Sequence, residues 1–501
     1  MYLLLSIAAV GMLLMAALGW RKAVQRKCAH WLWPYLVWAW RQRSRRRVEG
    51  PVHLFFLFAD HFEPQHGGVS PAQEAARLQR WAESYPQFAA RHRDAEGRPP
   101  QHTWFYPYDQ YRPENLQQLS ALCFAGWGEI ELHLHHGQEP PERLPELLRE
   151  AVETFAQHGA LLTAEPQPRR TFGFVHGMFA LDNARPDGRY CGVNNELQIL
   201  REAGCYADFT LPTPDETQPR LVNTIYYATD DPQRPKSHDT GREVCVGGKT
   251  AGDLLLVPGP LGINWRDWRH GLYPALENTA ITSLNPGFPV RVDFWVWAHI
   301  HVAGRPEWVF VKVYTHGALE RDTEAVLGAA RHALHDYLET RYNDGERYVL
   351  HYVTAREAYN LIKAAEAGEV GDPNQYRNYL IPPYANTKIW ANRRYLLATY
   401  SPTEVVLRLL PGQEPAEVTF KDLLLRRLRG RFSSLHYRRE GNAVTLALEG
   451  DGPVEGEWTG EIALKGVDQW HFIAAKERTA FALNLATASS CLVRGDLPSA
   501  I

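Results

Sequence analysis

Gly128-Glu-Ile-Glu-Leu-His-Leu-His-His-Gly137 sets two histidines one strand repeat apart and closes on a glycine. Side chains alternate faces along a strand, so Glu131, His133 and His135 share one face while Ile130, Leu132, Leu134 and His136 take the other. Two imidazoles on one face can grip one metal ion. Two other stretches end in similar chemistry: Phe55-Phe-Leu-Phe-Ala-Asp-His-Phe-Glu63, and the run Trp308 to Thr315 that leads into His316-Gly317. If these ends meet at one rim, the rim holds a carboxylate, two or three histidines and a further titratable histidine, the outline of a hydrolytic metal site. The plain alternative is a pair of ordinary half-buried strands whose imidazoles are satisfied by backbone carbonyls.

Outward from this stretch, the chain alternates strand and helix from Pro51 to Gly368. Strands are expected at Val52 to Asp60, Thr103 to Tyr106, Glu129 to His135, Thr171 to Val175, Asp253 to Val257, Trp308 to Thr315 and Val349 to Val353. Ser70 caps a helix with Pro71 at its first position, and Thr354-Ala-Arg-Glu357 is a capping box opening another. Repeated alternation means parallel strands with helices outside, as a barrel or an open sheet. Beyond about Asn386 the pattern changes to short alternating runs broken by Gly, Pro and Asp, which reads as a small all-β domain over 386–501.

The chain has 501 residues, enough for a large domain and a smaller one, and its 45% hydrophobic and 22% charged content is that of a globular protein. A net charge of -3 provides no basic field for nucleic acid. The 16 Trp and 23 Tyr suit carbohydrate faces and suit core packing equally. Six cysteines without a CxxC pair point to a reduced compartment.

Residues 1–50 read as a membrane anchor. Tyr2 to Trp20 is an uncharged apolar run of bilayer-spanning length, followed between Arg21 and Arg47 by nine Lys or Arg and no acid. Positive flanks stay on the cytoplasmic side, so a single-pass inner-membrane protein with a cytoplasmic catalytic domain is expected. The alternative is an uncleaved export signal with the domain outside. Trp31, Trp33, Tyr35, Trp38 and Trp40 read as a segment lying at headgroup level.

In its motifs the stretch 52–368 resembles the polysaccharide deacetylases with NodB homology, carbohydrate esterase family 4. Phe56-Leu-Phe-Ala-Asp60 resembles that family's first motif, a strand ending in a base and a metal-binding aspartate, with Ala59 standing where the base would be. Glu129-Ile-Glu-Leu-His133 followed by His135 and His136 resembles the second motif; its usual second histidine would fall at Gly137, so His135 or His136 must replace it. Asn195 to Gly204, Leu254 to Pro258 and Val311 to His316 resemble later elements, the last carrying the catalytic acid. The resemblance implies a (β/α) barrel of the NodB type over 51–385, an N-acetylated carbohydrate as substrate, and one divalent metal, Zn or else Co or Mn, on Asp60, His133 and His135. His316 is then the general acid, without a metal ligand beside it. With Ala59 at the base position, Glu63, His61 or Asp60 itself must supply the base, or the site binds without catalysing. His61, His136, His176, Asp182 and Asn183 are expected to touch substrate or to orient the ligands, though the stretch 174–183 equally reads as a loop held by its own Asx hydrogen bonds.

The leading expectation is therefore a membrane-anchored, metal-dependent amide hydrolase that deacetylates glycans or glycan precursors in bacterial surface polysaccharide assembly. A glycoside hydrolase on a similar barrel, using Asp60 with Glu63 or Asp182, is one alternative. A non-catalytic glycan-binding protein is another. No protein partner is indicated.

Overall fold

A computed structural model describes residues 19–45, 47–137, 139–163, 168–269 and 271–387, and beyond them the strands lying between 395 and 496 with some of their connections. After helix α1 (Ala29–Gln42) the chain forms β1 (Val52–His61), helix α2 (Pro71–Ala89), β2 (His102–Pro107), β3 (Gly128–Leu134), β4 (Phe172–His176), β5 (Cys205–Asp208), β6 (Tyr226–Ala228), β7 (Arg242–Glu243), β8 (Leu254–Leu256), the hairpin β9 (Gly262–Arg269) and β10 (Tyr273–Glu277), β11 (Trp308–Thr315) and β12 (Tyr348–Val353). Both expected helix starts are present: the Ser70 hydroxyl accepts from the Gln73 N–H, and Thr354 and Glu357 close a reciprocal capping box.

One sheet runs in the order β11-β1-β2-β3-β4-β5-β8-β6-β7. It is parallel from β11 to β8, and only the β8–β6 and β6–β7 pairings are antiparallel. The edge of β1 away from β11 is shared, with β12 along Val52 to Leu57 and β2 along Ala59 to His61. β1 is apolar throughout because both its faces are covered: Phe55, Leu57 and Ala59 share a cluster with Phe105, Val175, Phe209, Val257 and Phe310, whereas Leu54, Phe56 and Phe58 pack with Val292, Trp295 and Leu334. The first cluster draws on both ends of the parallel sheet, so the sheet curls around it. Among the described residues no ladder joins β8 to β11, and the free edge of β8 is taken by antiparallel β6. The expected barrel is therefore a curled, mostly parallel sheet without hydrogen-bonded closure. Between 395 and 496 the strands pair antiparallel, most extensively Leu425–Glu440 with Ala443–Trp458.

The N-terminal expectations need correction. Among the described residues no helix is long and apolar enough to cross a membrane. The expected transmembrane helix and the single-pass inner-membrane placement built on it thus find no support among the described helices; the run 2–20 lies outside the described residues except for Gly19 and Trp20. The Trp-rich segment does not lie apart as an interfacial helix, because α1 docks on the body of the protein. Trp31 and Tyr35, one turn apart, are buried with Val222 and Leu261, and the Tyr35 hydroxyl accepts from the Ile263 N–H at 2.9 Å. Trp33 and Trp40 point away, 66% and 71% exposed. A Trp31→Ala substitution should accordingly cost about 3–5 kcal/mol, the usual penalty for emptying a buried aromatic site. Urea denaturation checks this, and an unchanged midpoint would mean that α1 is not docked.

Candidate metal centre

The parallel register brings the C-terminal strand ends to one rim: His61 pairs with Phe105, Pro107 with His133, and Leu134 with His176. On β3 the alternation is as the sequence predicts. Ile130, Leu132 and Leu134 pack outward among helices, while Glu131 and His133 face in. On β1 the same alternation turns Ala59 and His61 inward with Leu57, and sends Asp60 outward with Phe58 and Phe62.

Glu63, two residues beyond His61, is the hub. Its Oε1 lies 3.4 Å from His133 Nε2, 3.6 Å from His135 Nε2 and 3.7 Å from His316 Nε2, and its Oε2 is 2.9 Å from His66 Nδ1. His61 stands beside them, its ring centroid 5.4 Å from that of His133 and 5.1 Å from that of His316. His133 Nδ1 donates to the Val175 carbonyl at 2.7 Å, and His135 Nδ1 lies 3.1 Å from the Asp109 carboxylate. Each Nδ1 is thus engaged and each Nε2 is aimed at the centre, the arrangement by which proteins orient metal-binding imidazoles. His61 Nε2 is buried without a hydrogen-bond partner. The donor atoms of Glu63, His133 and His135, and likewise those of His61, Glu63 and His316, are close enough to share one ion. These residues therefore fit a divalent metal, and nitrogen with carboxylate donors suits zinc, cobalt or manganese. The cluster opens on a cleft of about 350 Å³, walled by Gln65, Gln110, Met178 and Phe179.

The electrostatics follow from crowding imidazoles around one carboxylate. Burial pushes Glu63 up, but His133 and His135 hold it well below the usual carboxylate range. Asp109 is raised by burial and lowered further by His135, ending below its ordinary value. Burial disfavours a charged His135, yet Asp109 and Glu63 outweigh it and hold the imidazole at about 10. His61 is driven well below the ordinary value by burial and by its neighbours His316 and His133. His316 is lowered mainly by burial, with Glu63 opposing. In the metal-free chain His135 is therefore cationic at neutral pH. Its folded-state value lies above the unfolded value of roughly 6.5, so the stability it contributes is complete below that pH and is lost as pH rises through about 10. A metal takes the neutral imidazole, so zinc binding at pH 8 should release a proton. Titration calorimetry in buffers of different ionisation enthalpy measures it, and Asp109→Asn should diminish it; equal heats in all buffers would contradict the assignment.

The remaining expectations divide. Asp60 is not at the centre: it is fully buried on the outer side of β1, where Oδ1 accepts from the Gly317 N–H at 2.6 Å and Oδ2 lies 3.0 Å from His102 Nε2. It is neither a metal ligand nor a base for this cleft, nor half of a carboxylate pair within it. His316 reaches the rim on the inward face of β11, as expected, but it sits beside Glu63 and His61 rather than alone. His136 and His176 lie off the cleft in a separate buried group with Cys191 and Glu196. Asp182 is buried and accepts from the Ser237 N–H at 2.5 Å, while Asn183 bonds Asn194 and the Gly192 N–H. Asn183 holds its own loop, whereas Asp182 ties that loop to the distant segment at Ser237 and His238. Asp109 and His66 escaped the sequence reading; the signal was that Asp109 follows β2, a strand ending at the same rim.

The chain matches no family model, and no curated protein sequence matches it. Solved structures similar to it include a GH30 endoxylanase from Clostridium papyrosolvens C71, 7% identical over 90% of this chain and 100% of that one, with a TM-score of 0.22. Another is the glycoside hydrolase family 30 subfamily 8 xylanase Xyn30A from Clostridium acetobutylicum, 10% identical over 90% and 97%, with a TM-score of 0.23. Likeness at this level carries no argument about activity. The fold and site define an α/β protein with a histidine–carboxylate cluster at the C-terminal rim of a curled, mostly parallel sheet.

Proposed function

We propose that the protein is a metal-dependent hydrolase that removes the acetyl group from an N-acetylated carbohydrate. The observation that carries the reading is the convergence of His133 Nε2 and His135 Nε2 on Glu63, with each imidazole held from behind by the Val175 carbonyl or the Asp109 carboxylate. His133, His135 and Glu63 would hold the ion, with His61 and His316 beside them. When bound, such an ion polarises a carbonyl and lowers the pKa of water. The residues around it supply the rest. His316 is the imidazole at the open side, its side chain 31% exposed. Partial burial lowers its pKa, with Glu63 opposing, which favours the neutral ring whose Nε2 can accept a proton from the attacking water and pass it to the departing amine nitrogen. Met178 and Phe179 form an apolar wall suited to an acetyl methyl. The carbohydrate assignment rests on the motif resemblance.

Glycoside hydrolysis, the activity of the two xylanases, requires one carboxyl kept protonated opposite an ionised one. The carboxylates lining the cleft are Glu63 and Asp109, and both are held below their ordinary range. That disfavours this second reading here. The separating experiment incubates the full chain with an N-acetylated oligosaccharide after chelation and after return of zinc, cobalt or manganese. Acetate release that needs the metal is the expected result. New reducing ends without acetate would favour glycoside hydrolysis, and neither product would leave a binding protein.

A further inference from the structure

Behind the wall of the cleft, four side chains from separate segments meet out of reach of water. His136 follows β3, His176 ends β4, Cys191 lies in the following loop, and Glu196 opens the helix Glu196–Glu202. The side chains of His136, His176 and Glu196 are 0% exposed, and Cys191 is buried. His176 Nδ1 donates to the Gly177 carbonyl at 2.6 Å, which leaves the lone pair on Nε2, and that atom faces His136 Nε2 at 3.0 Å. Glu196 Oε1 lies 2.8 Å from His136 Nε2 and 3.3 Å from His176 Nε2, and its Oε2 is 3.3 Å from Cys191 Sγ. His136 Nδ1 has no hydrogen-bond partner. The four donor atoms all lie within 4.8 Å of one another.

A carboxylate, a thiol and two imidazoles sealed together are costly unless they are neutralised and bonded. One proton between the two Nε2 atoms and Glu196 would satisfy part of the group, and Cys191 Sγ accepts from the Asn183 N–H at 3.3 Å, yet two imidazole nitrogens, a carboxylate and a sulfur would still converge on one buried point. We infer that this group is a second, structural metal site that binds zinc through His136 Nε2, His176 Nε2, the Glu196 carboxylate and Cys191 Sγ, whose thiol proton passes to solvent as the ion enters. Four protein donors make a closed, structural type of site, and a thiolate beside imidazoles selects zinc over magnesium or manganese. None of the four lines the cleft.

The place of this group in the fold gives the ion a task. The segment 177–196 carries Met178 and Phe179, which wall the cleft. It runs through left-handed backbone at Met178, Phe179, Asp182, Asn183 and Tyr190, with φ of 54°, 55°, 55°, 50° and 70°. Non-glycine residues stay in that region only where surrounding contacts over-determine them. His176 precedes the segment, Glu196 ends it, Cys191 lies inside it and His136 ties it to β3, so one ion would fasten the cleft wall to the sheet.

Zinc K-edge X-ray absorption on the unmodified, zinc-loaded full chain tests this without a variant. A sulfur scatterer beside nitrogen and oxygen is expected, with two zinc ions bound per chain. Cys191→Ser should remove the sulfur signal, and cobalt-substituted protein should show thiolate charge-transfer absorption that the variant lacks. In His133→Ala the sulfur-bound zinc should persist while the cleft ion is lost. No sulfur scatterer in the unmodified chain, or one that survives in Cys191→Ser, would overturn the clamp whatever happens at the cleft. Sulfur-bound zinc together with no metal loss in His133→Ala would uphold the clamp and count against the cleft metal instead.

Discussion

Glu63→Ala is expected to empty the cleft of its metal and to abolish hydrolysis. Among the described residues Glu63 is the carboxylate that lies within 4 Å of the Nε2 atoms of His133, His135 and His316 together. Removing it takes a ligand and also leaves the imidazoles facing one another without their anion, so His135 loses part of what holds it at about 10. A positioned base alone is worth roughly 10² to 10⁴ in rate; loss of the ion with it should exceed that range. Metal analysis and acetate release on the same preparation decide the matter. A variant that keeps the ion and loses activity within that range would make Glu63 a base rather than a ligand, and one that keeps both would remove Glu63 from the site.

The second large effect lies at Asp60 and runs opposite to what its motif implies. Asp60→Ala should destabilise the fold by about 2–6 kcal/mol while leaving the cleft metal in place. The carboxyl is fully buried, accepts the Gly317 N–H at 2.6 Å and lies 3.0 Å from His102 Nε2. Leaving two buried polar groups unpaired costs about 1–3 kcal/mol each. Burial pushes the Asp60 carboxyl well up, against the Gly317 N–H, which also suits a structural group better than a metal ligand. Through Gly317 the same bond anchors the turn that bears His316, so some activity should be lost as His316 is displaced. Denaturant midpoints and metal content, measured together, test this. Metal loss in a stable Asp60→Ala protein would restore Asp60 as a ligand.

Asp60 also shows where sequence reading stops. On β3 the face was legible, because Ile130, Leu132 and Leu134 alternate with Glu131, His133 and His135, and only one set can enter the apolar helix layer. On β1 it was not: Phe55 to Ala59 is apolar at every position, so alternation puts Asp60 and His61 on opposite faces without saying which is inward. The choice came from the neighbours, since Phe105, Val175 and Phe310 gather Leu57 and Ala59 to the interior. Asp60 then goes outward, and Glu63 takes the central place.

By itself the sequence determined the alternation of strand and helix, the two helix caps, the strand ends that carry histidine, and the shared face of His133 and His135. These are local properties, set by periods of two and of about 3.6 residues and by caps within one turn. Tertiary structure alone decided that α1 packs on the body, that β6 takes the edge of β8, that Glu63 and Asp109 join the histidines, and that His136, His176, Cys191 and Glu196 meet. Each of these joins segments far apart in the chain, and their proximity depends on strand order and sheet curl, which no local period records.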